Sequence, residues 1–127
     1  MKLRGILLEP TKAIEKVEIE FNDYRDISKA VGCKWITAVP RRFNGVVADV
    51  YCDEEYLLKQ ARTPAIITRN KTTRATIEIL YGTCFLCTHD KHGNVQSMSH
   101  TAIKKILETV GSVTQGATTF KVLQAEM

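Results

Sequence analysis

Apolar and polar residues alternate from Ile14 to Phe21, where Val17, Ile19 and Phe21 are separated by Lys16, Glu18 and Glu20. A period of two predicts a half-buried strand with one wet face. Before it, the apolar run within Lys2 to Leu8 reads as a first strand, stopped by Glu9-Pro10-Thr11 because proline cannot donate to a ladder. The period then changes. Tyr24, Ile27 and Val31 fall on one face of a short amphipathic helix over residues 23–31. Asn22-Asp23 supplies its N-cap and Gly32 its end.

Strands over residues 34–39 and 46–52 flank Pro40-Arg41-Arg42-Phe43-Asn44-Gly45, which predicts a hairpin with a basic tip. Asp53-Glu54-Glu55 opens either a helix of about two turns, limited by Pro64, or a solvated turn. Residues 65–68 read as a short strand and 69–74 as a polar loop. Residues 76–88 form the longest β-rich run, closing on a turn at His92-Gly93-Asn94, with a return over 95–99. Ser99 caps a helix over about residues 100–110 that buries Ile103, Ile106, Leu107 and Val110 and ends at Gly111. Residues 118–123 read as a last strand whose open edge allows a homodimer. Trp35 is expected in the core or at a dimer contact. Tight turns in place of crossover helices predict an α+β fold, a mostly antiparallel sheet of five or more strands with two short helices.

The chain has 127 residues, the size of a single α+β domain over 1–127. With 44% apolar and 25% charged residues it has the composition of an ordinary globular protein. The net charge of +4 leaves room for an anionic partner but is below what a dedicated nucleic-acid binder carries. Nucleic acid is therefore not the favoured partner. The apolar run after Met1-Lys2 is too short for a secretion signal, and no segment is long enough to span a membrane. The expectation is a cytoplasmic protein without membrane attachment. Its four cysteines, Cys33, Cys52, Cys84 and Cys87, are then free thiols.

Several features run in a definite order. They are Ile6-Leu7-Leu8-Glu9-Pro10, a small helix from Ile27 to Val31-Gly32, and Asp49-Val50 leading to Asp53-Glu54-Glu55. Tyr81-Gly82-Thr83 then leads to Asp90 and Gly93, and the order resembles that of the DUF3846 family. The resemblance covers about residues 1–99, leaving a helix and strand over 100–127. It implies a setting in phages and mobile elements, hence a bacterial host cytoplasm, and no agreed activity. The chain departs from the family's pattern at Cys33, where a second glycine is usual, and at Tyr56-Leu57 after the acids. Its only asparagine nearby, Asn70, comes late, so no ligand contact carries over.

Candidate chemistry is sparse. Cys84, Cys87, His89 and His92 are metal-ligand types, but Phe85-Leu86 makes this a strand, where residues three apart face opposite ways. The expectation is no metal and no cofactor. Cys33 and Cys52 lie in no catalytic signature, and Asp53 opposes thiolate formation at Cys52. Asp53-Glu54-Glu55 is too local to form a facing carboxylate pair. The strongest signal is charge. No acid occurs over residues 56–77, which hold Lys59, Arg62, Arg69, Lys71 and Arg74. Guanidinium forks suit phosphate, and Arg41 and Arg42 can join them in space. Few aromatics are interleaved, which weakens a stacking mode of nucleic-acid binding. The expectation is a non-enzymatic protein that binds a phosphorylated host metabolite or signalling nucleotide through Arg41, Arg42, Arg62, Arg69, Lys71 and Arg74. The alternatives are an inhibitor docking on a host defence protein and a small cysteine- or metal-dependent enzyme.

Overall fold

A computed structural model describes residues 1–9, 11–55 and 63–127. Ten strands and two helices occur among them. In chain order they are β1 (Lys2–Leu8), β2 (Glu15–Glu20), α1 (Tyr24–Val31), β3 (Ile36–Phe43), β4 (Val46–Asp53) and β5 (Pro64–Arg69). Then come β6 (Thr76–Tyr81), β7 (Cys84–His89), β8 (Val95–Gln96), α2 (His100–Leu107), β9 (Val110–Gln115) and β10 (Thr118–Glu126). The sheet order is β2-β1-β7-β4-β3-β10-β5-β6, with β8 on β7 and β9 on β10. Among the described residues neighbouring strands run antiparallel, except β5 and β10, which are parallel. The fold is dominated by its sheet, more so than an α+β label conveys, and each helix has only eight residues.

Connectivity forces this sheet to curl. β6 and β7 are five strand steps apart in the order, about 24 Å in a flat sheet. Only Gly82 and Thr83 join them, and three residue steps from Tyr81 to Cys84 reach at most about 11 Å. The edge at β6 therefore bends back toward β7. The expected single run over residues 76–88 is two strands, because Gly82 turns at φ 83 and its amide donates to the Thr63 carbonyl.

Local chemistry explains several elements. Asp23 accepts the Arg25 amide, while the Asp26 carboxylate accepts the amides of Asn22 and Asp23, so α1 begins in a capping box. The hairpin turn is narrower than expected. Asn44 and Gly45 both have positive φ, 50 and 81, the requirement of a two-residue turn that matches strand twist. Pro40 to Phe43 therefore lie in β3 and not in a loop. Pairs alternate from the bonded Phe43–Val46 pair beside the turn, which makes Pro40–Asp49 a non-bonded pair that needs no proline N–H.

The C-terminal part differs from expectation. α2 starts at the Ser99 cap, which accepts the Ala102 amide, but stops at Leu107. Thr109 bonds back to the Ile106 carbonyl, and Val110 opens β9. Gly111 is thus a strand residue, and its role is space: a Cβ there would lie 2.3 Å from Gln124 Nε2. Val110 is exposed, not part of the helix's buried face. β10 is an interior strand at its C-terminal end, and its N-terminal part has β9 along one side. Its residues 118–123 pair with β9 and 123–126 with β5.

The core gathers Leu3, Ile6, Phe43, Phe85, Leu86 and Leu123 with Ile27 from α1 and Ile103 and Ile106 from α2. Cys84 and Cys87 face opposite ways on β7 yet both are fully buried, so that strand is covered on both faces. Trp35 is outside this core, 55% exposed, with the Lys34 ammonium 5.5 Å from its ring centre. No described helix is long and apolar enough to cross a membrane.

Candidate functional site

Alternation along β3 sends Arg41 and Arg42 to opposite faces. Arg41 shares the face of the fully buried Phe43, inside the curl. There it meets Glu78 of β6, whose ladder neighbours Thr68 and Leu80 are also buried. The guanidinium donates from Nε (3.0 Å) and Nη2 (2.9 and 2.8 Å) to the Glu78 carboxylate, and Nη1 donates to the Pro40 carbonyl at 2.7 Å. With side chains 15% and 31% exposed, the pair is shielded enough to count in stability. Arg41 is thereby committed to a structural bond across the curl.

Arg42 faces outward. It lines an open groove of about 460 Å³ with Pro40, Arg41, Val47, Lys71, Glu126 and Met127. The walls from Pro40, Val47 and Met127 are apolar. Arg42 and Lys71 are exposed, and neither side chain has a hydrogen-bond or ion-pair partner among the described residues. The turn over residues 70–75 holds Lys71 in place: Asn70 Oδ1 accepts the amides of Thr72 and Thr73, and the Lys71 amide donates to the Met127 carbonyl.

The other expected residues divide. Arg74, in the left-handed region at φ 64, donates to Glu126 at 2.8 Å. Arg69 turns its Nη1 onto Thr76 Oγ1 (3.3 Å) and the Arg74 carbonyl (3.5 Å). Arg62, Lys59 and the segment that would form a helix after Glu55 lie outside the described residues. Sequence reading found the cations but missed Glu78 and Glu126, which lie beyond the acid-free stretch and reach it through the ladder. Strand alternation over 36–53 was the available signal for separating Arg41 from Arg42 and for placing Val47 beside Arg42.

The remaining candidates are structural in their bonding. Burial, reinforced by Glu78, Asp53 and Cys33, pushes the Cys52 thiol up to about 11. Burial pushes Cys87 up to about 12 and Cys84 higher still. Such thiols carry almost no thiolate at neutral pH. All four cysteines are unbridged. Asp53 closes β4 by accepting the Glu55 amide. His92 sits in the turn after β7, where Asp90 accepts its amide and that of Asn94. His89 bonds through Nδ1 to Asp49 at 2.6 Å, and that hydrogen bond raises its pKa. Among the described residues no group of three or more His, Cys, Asp and Glu stands where it could hold a metal ion.

Comparison with known proteins adds one finding. A family model described as "Domain of unknown function (DUF3846)" matches residues 1–111, past the stretch that carried the resemblance. No curated protein and no solved structure matches the chain.

Proposed function

The chain belongs to the DUF3846 family, and from that premise we propose a non-enzymatic accessory protein that binds a phosphorylated metabolite or signalling nucleotide in a phage-infected bacterial host. The groove beside β3 carries the reading. Arg42 and Lys71 present uncommitted cations beside apolar walls from Pro40 and Val47. Small-ligand sites combine mostly apolar lining with a few placed polar groups in this way. Arg69 and Arg74 stand behind them and hold the local field positive although Glu126 lies among them. The protonated thiols of Cys52, Cys84 and Cys87 favour binding over cysteine chemistry.

A thermal-shift screen against mononucleotides and dinucleotides tests this. A ligand at a hundred times its Kd adds about 2.7 kcal/mol, a rise of roughly 10 °C for a domain of this size. The double charge reversal Arg42→Glu with Lys71→Glu is expected to abolish the shift and leave the ligand-free melt within about 2 °C of wild type, as for exposed substitutions. A flat screen with a cooperative melt rejects the reading and points to a protein partner.

A further inference from the structure

Strand register places more on the groove's face than the groove itself. Arg69 pairs with Glu126, Glu126 with Arg42, and Arg42 with Val47, so these four form one row across β5, β10, β3 and β4. Asp49 pairs with Cys87 at the end of the β4–β7 ladder, and Val47 and His89 lie two residues beyond that pair on the same face of their strands. Cross-strand partners share a face. Val47 of β4 therefore lies between Arg42 of β3 and His89 of β7 on this face. At about 4.8 Å per strand, the two cationic positions stand about 10 Å apart. Between them lies an apolar floor: Val47, 49% exposed, and the exposed Pro40 on the next row.

His89 is oriented for the outward role. Its Nδ1 meets a carboxylate, which can only accept, so Nδ1 carries a proton. The Nε2 atom has no partner among the described residues, and the side chain is 52% exposed while Asp49 is only 13% exposed. The charged groups that face the ring are carboxylates, Asp49 from β4 and Asp90 from its own turn, and β8 brings the uncharged Val95 opposite it. They raise the ring's pKa and so favour its protonated form.

We propose that this face binds a ligand with two anionic groups and an apolar or aromatic body, one group on Arg42 and Lys71, the other on Nε2 of His89, and the body over Val47 and Pro40. A nucleoside carrying phosphates at both the 3′ and 5′ positions has this chemistry, its ribose spacing the two charges and its base free to cover the apolar floor. The inference rests on the groove reading above and extends it by one residue and one charge.

Calorimetric titration at about pH 6, where histidine is readily protonated, tests it with adenosine 3′,5′-bisphosphate, adenosine monophosphate and inorganic phosphate as probes. The bisphosphate is expected to bind at least about tenfold tighter than the monophosphate. His89→Ala is expected to erase that preference, and Lys91→Ala, in the adjacent turn, to keep it. The preference is also expected to shrink at about pH 8.5 as the imidazole loses its proton. Equal binding of bisphosphate and monophosphate, or a preference that survives His89→Ala, overturns the two-pole site. Monophosphate binding still sensitive to Arg42→Glu would then leave the groove reading standing. Binding of none of the probes overturns both.

Discussion

Thr68 has a hydroxyl sealed inside the curl with no hydrogen-bond partner among the described residues, opposite Glu78 on the neighbouring strand. A buried unpaired hydroxyl costs about 1–3 kcal/mol, and removing it without leaving another orphan recovers part of that. Thr68→Val is expected to stabilise the fold by about 1 kcal/mol in urea unfolding, the rare core change that helps. His89 offers a second test at this scale. Its pKa is raised chiefly by the hydrogen bond to Asp49 and then by that carboxylate's charge. The pair's contribution is therefore complete below the unfolded value of about 6.5 and fades as pH climbs through the higher folded pKa. Nuclear magnetic resonance should place the His89 midpoint above 6.5, and Asp49→Asn should bring it down; an unmoved midpoint would reject the assigned cause. Residue identity alone told which groups could titrate. It did not tell that Asp49 and His89, forty positions apart, share a face, because that follows from β4 lying beside β7.

Among the elements, β1 is the least tolerant of added volume. A Cβ on Gly5 would lie 2.2 Å from the Leu86 carbonyl oxygen and 2.8 Å from the Phe85 ring. Backbone cannot swing aside, so Gly5→Ala is expected to cost about 3 kcal/mol or more, through separation of β1 from β7. Gly111→Ala meets only the flexible tip of Gln124 and should cost less than half as much, a ranking that paired denaturant melts would check. Sequence pattern recovered the elements with strong signals: the alternation of β2, the capped α1 and the Asn44-Gly45 turn. It failed where signals were weak or shared. The short polar run Val110-Gly-Ser-Val-Thr-Gln has neither a wide apolar stripe nor clean alternation, so the pattern carries α2 to Val110, ends it at Gly111 and predicts no element over residues 112–115. Pro40-Arg41-Arg42 looked like a loop because proline and charge usually mean one, whereas a non-bonded position on β3 accepts both.

At the scale of the whole molecule, the bond between Arg41 and Glu78 is a tie across the curl, joining strands with β10 and β5 between them. A double-mutant cycle with Arg41→Ala and Glu78→Ala should give a coupling of about 1–3 kcal/mol, while either single change leaves a shielded charge and costs more. A coupling near zero would mean that connectivity alone maintains the bend. The mostly antiparallel character was legible from turn chemistry. The strand order was not, because nothing local records that β10 sits between β3 and β5.

That placement governs the order of assembly. During synthesis the β5–β6 hairpin emerges long before the strand that ties it to β3, and its parallel partner residues, Ile66 and Leu123, are far apart in the chain. Such a topology is slow to close. Until β10 is made, the growing polypeptide exposes two ribbon edges with a gap between them, each a template for the wrong partner. The segment matched by the family ends at residue 111, before that strand begins. A chain cut there would keep every described cation on β3 and in the turn after β5, yet lose the strand that carries Glu126 and brings Lys71 to Arg42.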